Sequence, residues 1–414
     1  MSIRLSRRLF LRQALGIGAA AAAIGAVEGA QFVGQIRDQH DTWLEASRPN
    51  VEFLARHAAD LQCLTLGASF APEQWPLTPE GQTEALRGLD FAVSELGIRE
   101  LRLGLRWRRN VDGDGGIDLR AYMPVLDYCF GHDVAVCLNP GPVRVFRSPE
   151  EHVPREVLDR IEATQAAKST IQPGDPLAKA ALDYLERLLD NLSSTYGDAF
   201  ARIGAVQLEN EPFYPLGKHE WSFSSAYLRE VAQRVDSALP EARLLITSAG
   251  RLNLNEVRDA IADLQAMNQR FEGRMVSGFD FHYKTPRRDS VPMIRHFDQV
   301  TYGHPFSPTP YQHIQDSRRL GFKIEVTEAQ AEPYLQFRTP GNSVRDFRFV
   351  LLRMLDKVLD PREPALIRIW GVEELAKRFL RGEATEEHRQ ILEIIQTVNG
   401  PGATNDATGA SGRR

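Results

Sequence analysis

Short apolar segments alternate with longer helical patterns from about residue 60 to residue 400, and this alternation limits the possible folds more than any other feature. It favours βα units whose strands form a parallel sheet. Eight segments are predicted to be strands: Leu61–Leu66, Glu100–Leu105, Val134–Leu138, Ile203–Leu208, Leu244–Thr247, Gly278–His282, Phe322–Thr327 and Ala365–Trp370. This pattern predicts an α/β fold, a (β/α)8 TIM barrel with enlarged loops. A doubly wound sheet is the alternative, but no Gly-x-Gly-x-x-Gly motif follows an early strand.

Several of the intervening helices carry start and stop signals. Thr78 followed by Pro79 is typical of a helix start, and Gly97 of the end of the same helix. Two further segments, Asp175 to Tyr196 and Ser343 to Leu359, place apolar side chains on one stripe at a spacing of 3.6 residues. These segments are predicted to be helices that cover the barrel.

Composition excludes several classes of protein. The chain has 43% hydrophobic and 25% charged residues, which is typical of a globular protein and not of a disordered chain. A net charge of −5 offers no broad basic surface, so we expect no nucleic-acid partner. The three cysteines are too few for a disulfide framework, and the ten histidines show no metal-ligand spacing. The sequence therefore predicts neither a metal nor another cofactor.

The first thirty residues are predicted to be an export signal. A basic start is followed by an Ala- and Gly-rich apolar run over residues 14–27, which suits a signal peptide better than a membrane span. The segment Ser6 to Arg12, with its pair Arg7-Arg8 and the following Phe-Leu, resembles the twin-arginine export motif. The resemblance implies the twin-arginine translocation machinery as a partner and a periplasmic or secreted protein. Ala30 makes a poor cleavage site, so an uncleaved anchor stays open.

The mature chain is predicted to be one domain over residues 31–399. Residues 31–58 are expected to form an N-terminal helical segment whose apolar side chains cap the lower end of the barrel, namely Trp43, Leu44, Val51, Phe53 and Leu54. The tail, residues 400–414, contains small and polar residues and is predicted to be disordered.

Two carboxylates stand where a barrel places its functional residues, at the carboxyl ends of strands. Glu211 ends the fourth predicted strand and Glu328 ends the seventh. Hydrolysis of a glycosidic bond needs one carboxyl that donates a proton and a second that stays ionised. A separation of about 5 Å lets the second carboxyl attack the sugar directly, which retains the anomeric configuration.

Two neighbouring glutamates are rivals for these positions. In an extended strand Gln207, Glu209 and Glu211 share one face, so periodicity does not choose between Glu209 and Glu211. Glu325 lies on the opposite face from Glu328 by the same alternation. We therefore expect Glu325 to be structural, facing the helix layer with a basic partner.

The motif Asn210-Glu211-Pro212 resembles the Asn-Glu-Pro signature of glycoside hydrolase clan A, which includes the family 5 cellulases and mannanases. The resemblance implies that Glu211 is the general acid/base, that Asn210 binds the 2-hydroxyl of the sugar, and that Glu328 is the nucleophile. The resemblance covers roughly residues 60–375, in the strand order of the clan. Family 5 members usually have a histidine at the end of the third strand, whereas this chain has Cys137-Leu138-Asn139-Pro140-Gly141-Pro142 there. The clan is therefore assigned more firmly than any family.

Further residues match the clan in strand order. Arg102 corresponds to an arginine that hydrogen-bonds the nucleophile, and His282 or Tyr283 to a residue beside it. Trp370, which ends the eighth predicted strand, corresponds to the floor of the −1 sugar site. Aromatic side chains predicted near the barrel mouth suit stacking on a pyranose, and the candidates are Trp75, Trp107 and Tyr214.

The sequence therefore predicts an exported retaining glycoside hydrolase that cleaves β-glycosidic bonds of an oligo- or polysaccharide. The alternative is a carbohydrate-binding barrel without turnover. A phosphate-handling barrel is disfavoured, because the residues after the seventh and eighth strands are acidic where phosphate binding needs a glycine-rich loop.

Overall fold

The computed structural model describes residue 34 and residues 37–38, 41–147, 151–161, 165–248, 263–281, 310–319, 321–330, 344–357 and 365–400. The predicted signal, residues 1–30, lies outside these ranges, and so does all of the predicted disordered tail except Gly400. Within them, no helix is long and apolar enough to cross a membrane.

Eight parallel strands close into a barrel, as predicted. They are β1 (Leu64–Phe70), β2 (Glu100–Gly104), β3 (Ala135–Asn139), β5 (Ile203–Gln207), β7 (Arg243–Ser248), β8 (Met275–Phe281), β9 (Lys323–Gln330) and β10 (Ala365–Trp370). Neighbours around the barrel follow chain order, and β10 closes on β1. Two short strands, β4 (Thr170–Ile171) and β6 (Ser222–Phe223), form a separate sheet among the loops, which the sequence analysis did not predict.

Helices separate the strands and cover the barrel. They are α1 (Asn50–Leu61), α2 (Pro79–Ser94), α3 (Met123–Gly131), α4 (Arg155–Ile161), α5 (Pro176–Tyr196), α6 (Ser225–Ala238), α7 (Pro310–Arg319), α8 (Val344–Lys357), α9 (Val372–Leu380) and α10 (Glu386–Asn399), with further helical residues at 41–46 and 263–270. The predicted start of α2 is confirmed, since the Thr78 side chain accepts a hydrogen bond from the Gly81 N–H.

The first strand was placed too early. β1 begins at Leu64 and continues to Phe70, whereas the prediction ended at Leu66. The reason lies in Gly67, Ala68 and Ser69, whose small side chains resemble a turn in the sequence. A Cβ on Gly67 would lie 2.8 Å from the Glu100 carbonyl oxygen, so a small residue is required where this strand meets β2.

The expected cap at the lower end of the barrel is correct in part. Phe53 on α1 is fully buried, but Leu44 and Val51 are exposed, so these two do not contribute to the core. The end of α10 also seals this side, because Asn399 hydrogen-bonds both the N–H and the carbonyl of Leu66.

The lower part of the barrel interior contains a layer of charges. Arg368 on β10 contacts both Glu100 on β2 and Glu325 on β9, and Arg243 on β7 contacts the same two carboxylates. Because β2 and β7 are not neighbours in the barrel, these side chains can meet only through its interior. The basic partner predicted for Glu325 is confirmed, but its predicted direction towards the helices is wrong.

A β-bulge in β9 explains this error. Phe279 on β8 pairs with Val326, whereas the next residue, Asp280, pairs with Glu328, so that Thr327 is an extra residue. An extra residue breaks strict alternation between the two faces of a strand. Glu325 and Glu328 therefore both face the barrel interior, although the residue count puts them on opposite faces.

Candidate active site

Arg102 on β2 is the centre of a hydrogen-bond network at the carboxyl end of the barrel. Its guanidinium is fully buried, and it donates from Nε to Gln207 Oε1 (2.6 Å) and from Nη2 to Asn210 Oδ1 (3.1 Å). Its Nη1 donates to three oxygens: Glu328 Oε1 (2.7 Å), Ser69 Oγ (3.2 Å) and the Thr327 carbonyl (3.3 Å). Arg102 thus connects β2 to β1, β9 and the end of β5. It also links two of the predicted site residues, Asn210 and Glu328.

Glu328 enters this network from β9 because of the bulge. Its carboxylate is nearly buried, at 5% exposure, and forms an ion pair with Arg102. The neighbouring Thr327 donates its hydroxyl proton to Asp280, a fully buried carboxylate on β8. The bulge and its Thr327–Asp280 contact therefore position the segment that carries Glu328.

Glu211 lies directly after Asn210 and has an unusual backbone. Its φ is +44°, a left-handed conformation that is uncommon for residues other than glycine and that costs conformational energy. Its N–H donates to Thr247 Oγ1 on β7 (2.9 Å). The Glu211 side chain is partly exposed, whereas Asn210 is buried. Glu211 thus lies in a strained turn shortly after the carboxyl end of β5.

The rival Glu209 does not face the mouth. β5 ends at Gln207, so alternation along a strand no longer applies to the residues that follow. The Glu209 carboxylate is fully buried and accepts a hydrogen bond from the Tyr227 hydroxyl on α6 (2.9 Å), outside the barrel. Burial raises the pKa of Glu209 to about 7, although the hydrogen bond from the Arg144 N–H, the Arg144 charge and the Tyr227 hydroxyl act in the opposite direction.

The segment after β3 packs over the network. The Phe146 ring lies 4.2 Å from the Arg102 guanidinium carbon and meets the Trp370 ring edge to face at 5.9 Å. The Phe146 N–H donates to Asn139 Oδ1 (3.2 Å). Asn139, the last residue of β3, thus anchors this segment. The segment therefore forms a wall beside the predicted nucleophile.

Trp370 ends β10 at the same edge, as the sequence predicted. Arg147 lies over its ring, with the guanidinium carbon 4.3 Å from the ring centre. Arg147 is also paired with Glu373 at the start of α9 (2.7 Å), and Glu373 accepts the Ala71 N–H (2.5 Å). An ion pair thus holds the guanidinium on one face of the predicted sugar platform.

The aromatic candidates divide into two groups. Trp75 and Trp107 are buried in the hydrophobic core, where Trp75 lies beside Phe70 and Trp107 stacks on Tyr184 at 4.8 Å. Since neither ring has a free face for a sugar, we leave both out of the substrate-binding set. Tyr214 is partly exposed and follows Glu211 closely in the chain.

His282 and Tyr283 lie outside the described residues. Within the described ranges, no group of three or more histidine, cysteine or acidic side chains is close enough to hold a metal ion. The buried thiols have pKa values raised by burial, to about 12 for Cys129 and in the same direction for Cys137.

Four site residues were missed by the sequence analysis: Gln207, Thr247, Asp280 and Phe146. Gln207 holds the network together, accepting from Arg102 and donating to Asn210 Oδ1 (3.2 Å). Gln207, Thr247 and Asp280 lie within the last three residues of predicted strands, which was a usable signal. Phe146 is in a loop, and no pattern in the sequence placed it over Arg102.

Comparison with solved structures supports the fold. The β-galactosidase from the psychrophilic Marinomonas ef1 has a TM-score of 0.52 at 12% identity, over 80% of this chain and 59% of that chain. The intracellular xylanase from Thermoanaerobacterium saccharolyticum, in a complex with xylotriose, has a TM-score of 0.49 at 13% identity, over 76% and 88% of the two chains. A GH10 endoxylanase from a sugarcane soil metagenome has a TM-score of 0.45 at 15% identity, over 74% and 85%.

At 12% identity the likeness to the β-galactosidase supports the (β/α)8 barrel and nothing finer. No protein-family model matches the chain, and no curated protein sequence matches it. The expected resemblance to family 5 stays a prediction.

Proposed function

We propose that the protein is a retaining glycoside hydrolase that cleaves β-glycosidic bonds of an oligo- or polysaccharide. One observation carries the proposal: Arg102 joins Glu328 to Asn210, the residue before Glu211, at the carboxyl end of the barrel. Two glutamates are thus brought to one edge, where barrel enzymes have their active sites. The similarity of the fold to a β-galactosidase is compatible with this function.

In the proposed reaction Glu328 attacks the anomeric carbon while Glu211 protonates the leaving oxygen. Glu211 then removes a proton from a water molecule, which releases the sugar and restores Glu328. The Arg102 guanidinium orients the attacking carboxylate and places a positive charge beside it. Asn210 would bind the 2-hydroxyl of the sugar, Trp370 would form the floor of the site, and His282, Tyr283 and Tyr214 would complete it.

The first test is turnover of 4-nitrophenyl β-glycosides by the wild type, Glu211→Ala and Glu328→Ala, each with and without azide. The panel starts with galactosides and extends to xylosides, glucosides, mannosides and α-L-arabinosides. We expect Glu328→Ala to lose at least about 10³-fold in kcat/KM. Glu211→Ala should lose about 10²-fold or more in kcat, because hydrolysis of the glycosyl-enzyme then lacks its general base. Azide should restore turnover, giving a β-glycosyl azide with Glu211→Ala and an α-glycosyl azide with Glu328→Ala.

Azide products of one anomeric form from both variants would contradict the assigned roles. Absence of wild-type turnover on every aryl glycoside and on polysaccharides would favour the alternative, a carbohydrate-binding barrel. Calorimetric titration with oligosaccharides would then detect the binding directly.

We also propose that residues 1–30 direct export by the twin-arginine machinery to the periplasm or beyond. The support is the Arg7-Arg8 pair with the apolar run that follows it. Fusion of residues 1–30 to a reporter that needs export should give export that is lost when both arginines are changed to lysine. Export of the double variant would refute the proposal.

A further inference from the structure

The buried carboxylate of Glu209 hydrogen-bonds the segment that follows β3, residues 143–146, which we call the wall segment. Its Oε1 accepts the Val143 N–H (3.1 Å) and its Oε2 accepts the Arg144 N–H (2.8 Å), while the Tyr227 hydroxyl donates to Oε1. A carboxylate accepts several hydrogen bonds at once, which recovers part of the cost of its burial. The residue two positions before Glu211 is therefore anchored to a different loop.

Arg144 makes the return connection. Its side chain is fully buried and donates to the carbonyl oxygens of Pro212 (3.1 Å) and Tyr214 (2.8 Å), just after Glu211. The guanidinium carbon also lies 4.6 Å from the centre of the Phe223 ring. In addition, the Arg144 carbonyl accepts the Asn210 N–H (3.3 Å).

These contacts surround the turn on both sides. Residues 209 and 210 are bonded to Arg144 and Val143 before the turn, and residues 212 and 214 are bonded to the Arg144 side chain after it. A left-handed glutamate persists only where its surroundings hold it there. Glu211, at φ +44°, is the strained residue between the two sets of contacts.

We propose that Glu209 and Arg144 form a clamp that positions the Glu211 carboxyl for proton transfer. The inference rests on the proposed function, since it assigns positioning residues to the same site. Glu209 touches no substrate in this arrangement and is therefore not a second proton donor. The clamp holds the strained turn so that Glu211 extends into the mouth while Asn210 stays bonded to Arg102.

Two variants break the clamp in different places. Assayed at pH 8, above the pKa of Glu209, the wild type has two acceptor oxygens at this position. Glu209→Gln replaces one of them with an NH₂ group, and either orientation of the amide then opposes a backbone N–H. Arg144→Lys leaves one donor group for two carbonyls. Tyr227→Phe is a milder change, since it removes one hydroxyl donor to Glu209. Tyr184→Phe is its matched control, because Tyr184 is equally buried and its hydroxyl bonds Asn110 instead (2.9 Å).

The decisive readout is the dependence of kcat/KM on the leaving group. A phenyl glycoside needs a proton on the departing oxygen, whereas a 2,4-dinitrophenyl glycoside departs without one. Glu209→Gln and Arg144→Lys should lower kcat/KM on phenyl glycosides about 100-fold, the size of a lost general acid, and on dinitrophenyl glycosides less than about 5-fold. Tyr227→Phe should show the same selectivity at about 5-fold, and Tyr184→Phe should stay within about 2-fold of the wild type.

Equal losses on both leaving groups, or equal losses in the two Tyr→Phe variants, would overturn the clamp. Hydrogen exchange gives a second readout that does not need turnover. In Glu209→Gln, faster exchange should be confined to residues 143–146 and 207–214, and Tyr184→Phe should leave these peptides unchanged. If the wild type turns over no glycoside, the proposed function fails while exchange still decides the clamp. Unchanged exchange in these two segments would refute it.

Discussion

The two ends of the barrel interior each hold a fully buried arginine, and the two arginines have different partners. At the lower end Arg368 contacts the carboxylates of Glu100 and Glu325, which also contact Arg243. At the upper end Arg102 donates hydrogen bonds to one carboxylate, that of Glu328, and to neutral oxygens of other described residues.

This difference indicates what each end does. Two arginines and two glutamates balance at the lower end, which is enclosed by side chains from four strands, so its charges stabilise one another and serve the fold. The upper arginine holds amides and a carboxylate in defined positions beside a strained turn. A strained backbone conformation that its surroundings hold in place is typical of a functional site.

Replacing each of the two arginines with lysine is the strongest test of the difference between the two ends. Lysine has one nitrogen and cannot reach Gln207, Asn210 and Glu328 together. We expect Arg102→Lys to lower kcat/KM on aryl glycosides on the order of 10³-fold, equivalent to about 4 kcal/mol. Arg368→Lys should instead lower the free energy of unfolding and leave kcat/KM of the folded protein within about 3-fold. Urea unfolding and initial rates measure the two effects.

Similar activity losses in both lysine variants would show that the two ends are not distinct in function. A large loss of stability in Arg102→Lys without loss of kcat/KM would assign the upper network to folding.

Glu325→Gln tests the lower end alone. Removing this carboxylate leaves Arg243 and Arg368 with only Glu100, and breaking a buried ion pair costs about 3–5 kcal/mol. We expect the free energy of unfolding to fall by about 4 kcal/mol, while kcat/KM at a temperature where the variant is folded stays near the wild-type value. Loss of kcat/KM without loss of stability would place Glu325 in the catalytic machinery.

The same comparison shows what a sequence can predict. Strand ends are predictable because apolar runs stop where turn residues begin, and this rule located Glu211, Glu328 and Trp370 at the carboxyl edge. Arg102, in the middle of β2, was predicted from the resemblance to clan A. Glu325 was assigned to the wrong side because one extra residue, Thr327, shifts the alternation. A bulge depends on pairing with a neighbouring strand, and no local pattern reveals it.

The direction of Glu209 depends on tertiary contacts as well. Its partners are Val143, Arg144 and Tyr227, which are far from it in sequence or on another element. Trp75 and Trp107 are a related case: aromatic residues near loops suit either a sugar or a core, and packing against Phe70 and Tyr184 decides between the two. Chemistry at strand ends was therefore predictable, but side-chain direction beyond them was not.

At the upper end of the barrel, the titration of Glu209 should make stability depend on pH. Burial raises the pKa of Glu209 from its ordinary value of 4.5 to about 7. Between these pH values the folded chain keeps this proton and the unfolded chain releases it, so stability falls as pH rises and levels off above about pH 7. The difference of about 2.5 in pKa corresponds to about 3 kcal/mol.

Urea unfolding of the wild type and Glu209→Gln at pH 4.5, 6, 7 and 8 measures this contribution. The difference between them should change by about 3 kcal/mol over this range, because the glutamine does not titrate. The same subtraction with Tyr184→Phe should be flat. A flat difference for Glu209→Gln would show that Glu209 is ionised throughout.

The smallest expected effect on catalysis is at Arg147. Like Arg102, this residue lies beside an aromatic ring at the barrel mouth. Arg102 contacts Glu328, whereas Arg147 contacts Glu373 and the face of Trp370. At a temperature where the variant is folded, Arg147→Met should raise KM about 3- to 5-fold with kcat nearly unchanged, because a cation–π contact contributes about 1 kcal/mol. The variant should also be less stable, because it leaves the buried Glu373 carboxylate without Arg147. A double-mutant cycle with Trp370→Phe decides how the residue acts. Coupling of about 1 kcal/mol would mean that Arg147 works by holding the Trp370 ring, since removing the ring also removes its effect. Additive losses would mean that Arg147 contacts the sugar on its own, and the upper end would then contain two arginines with direct functional roles.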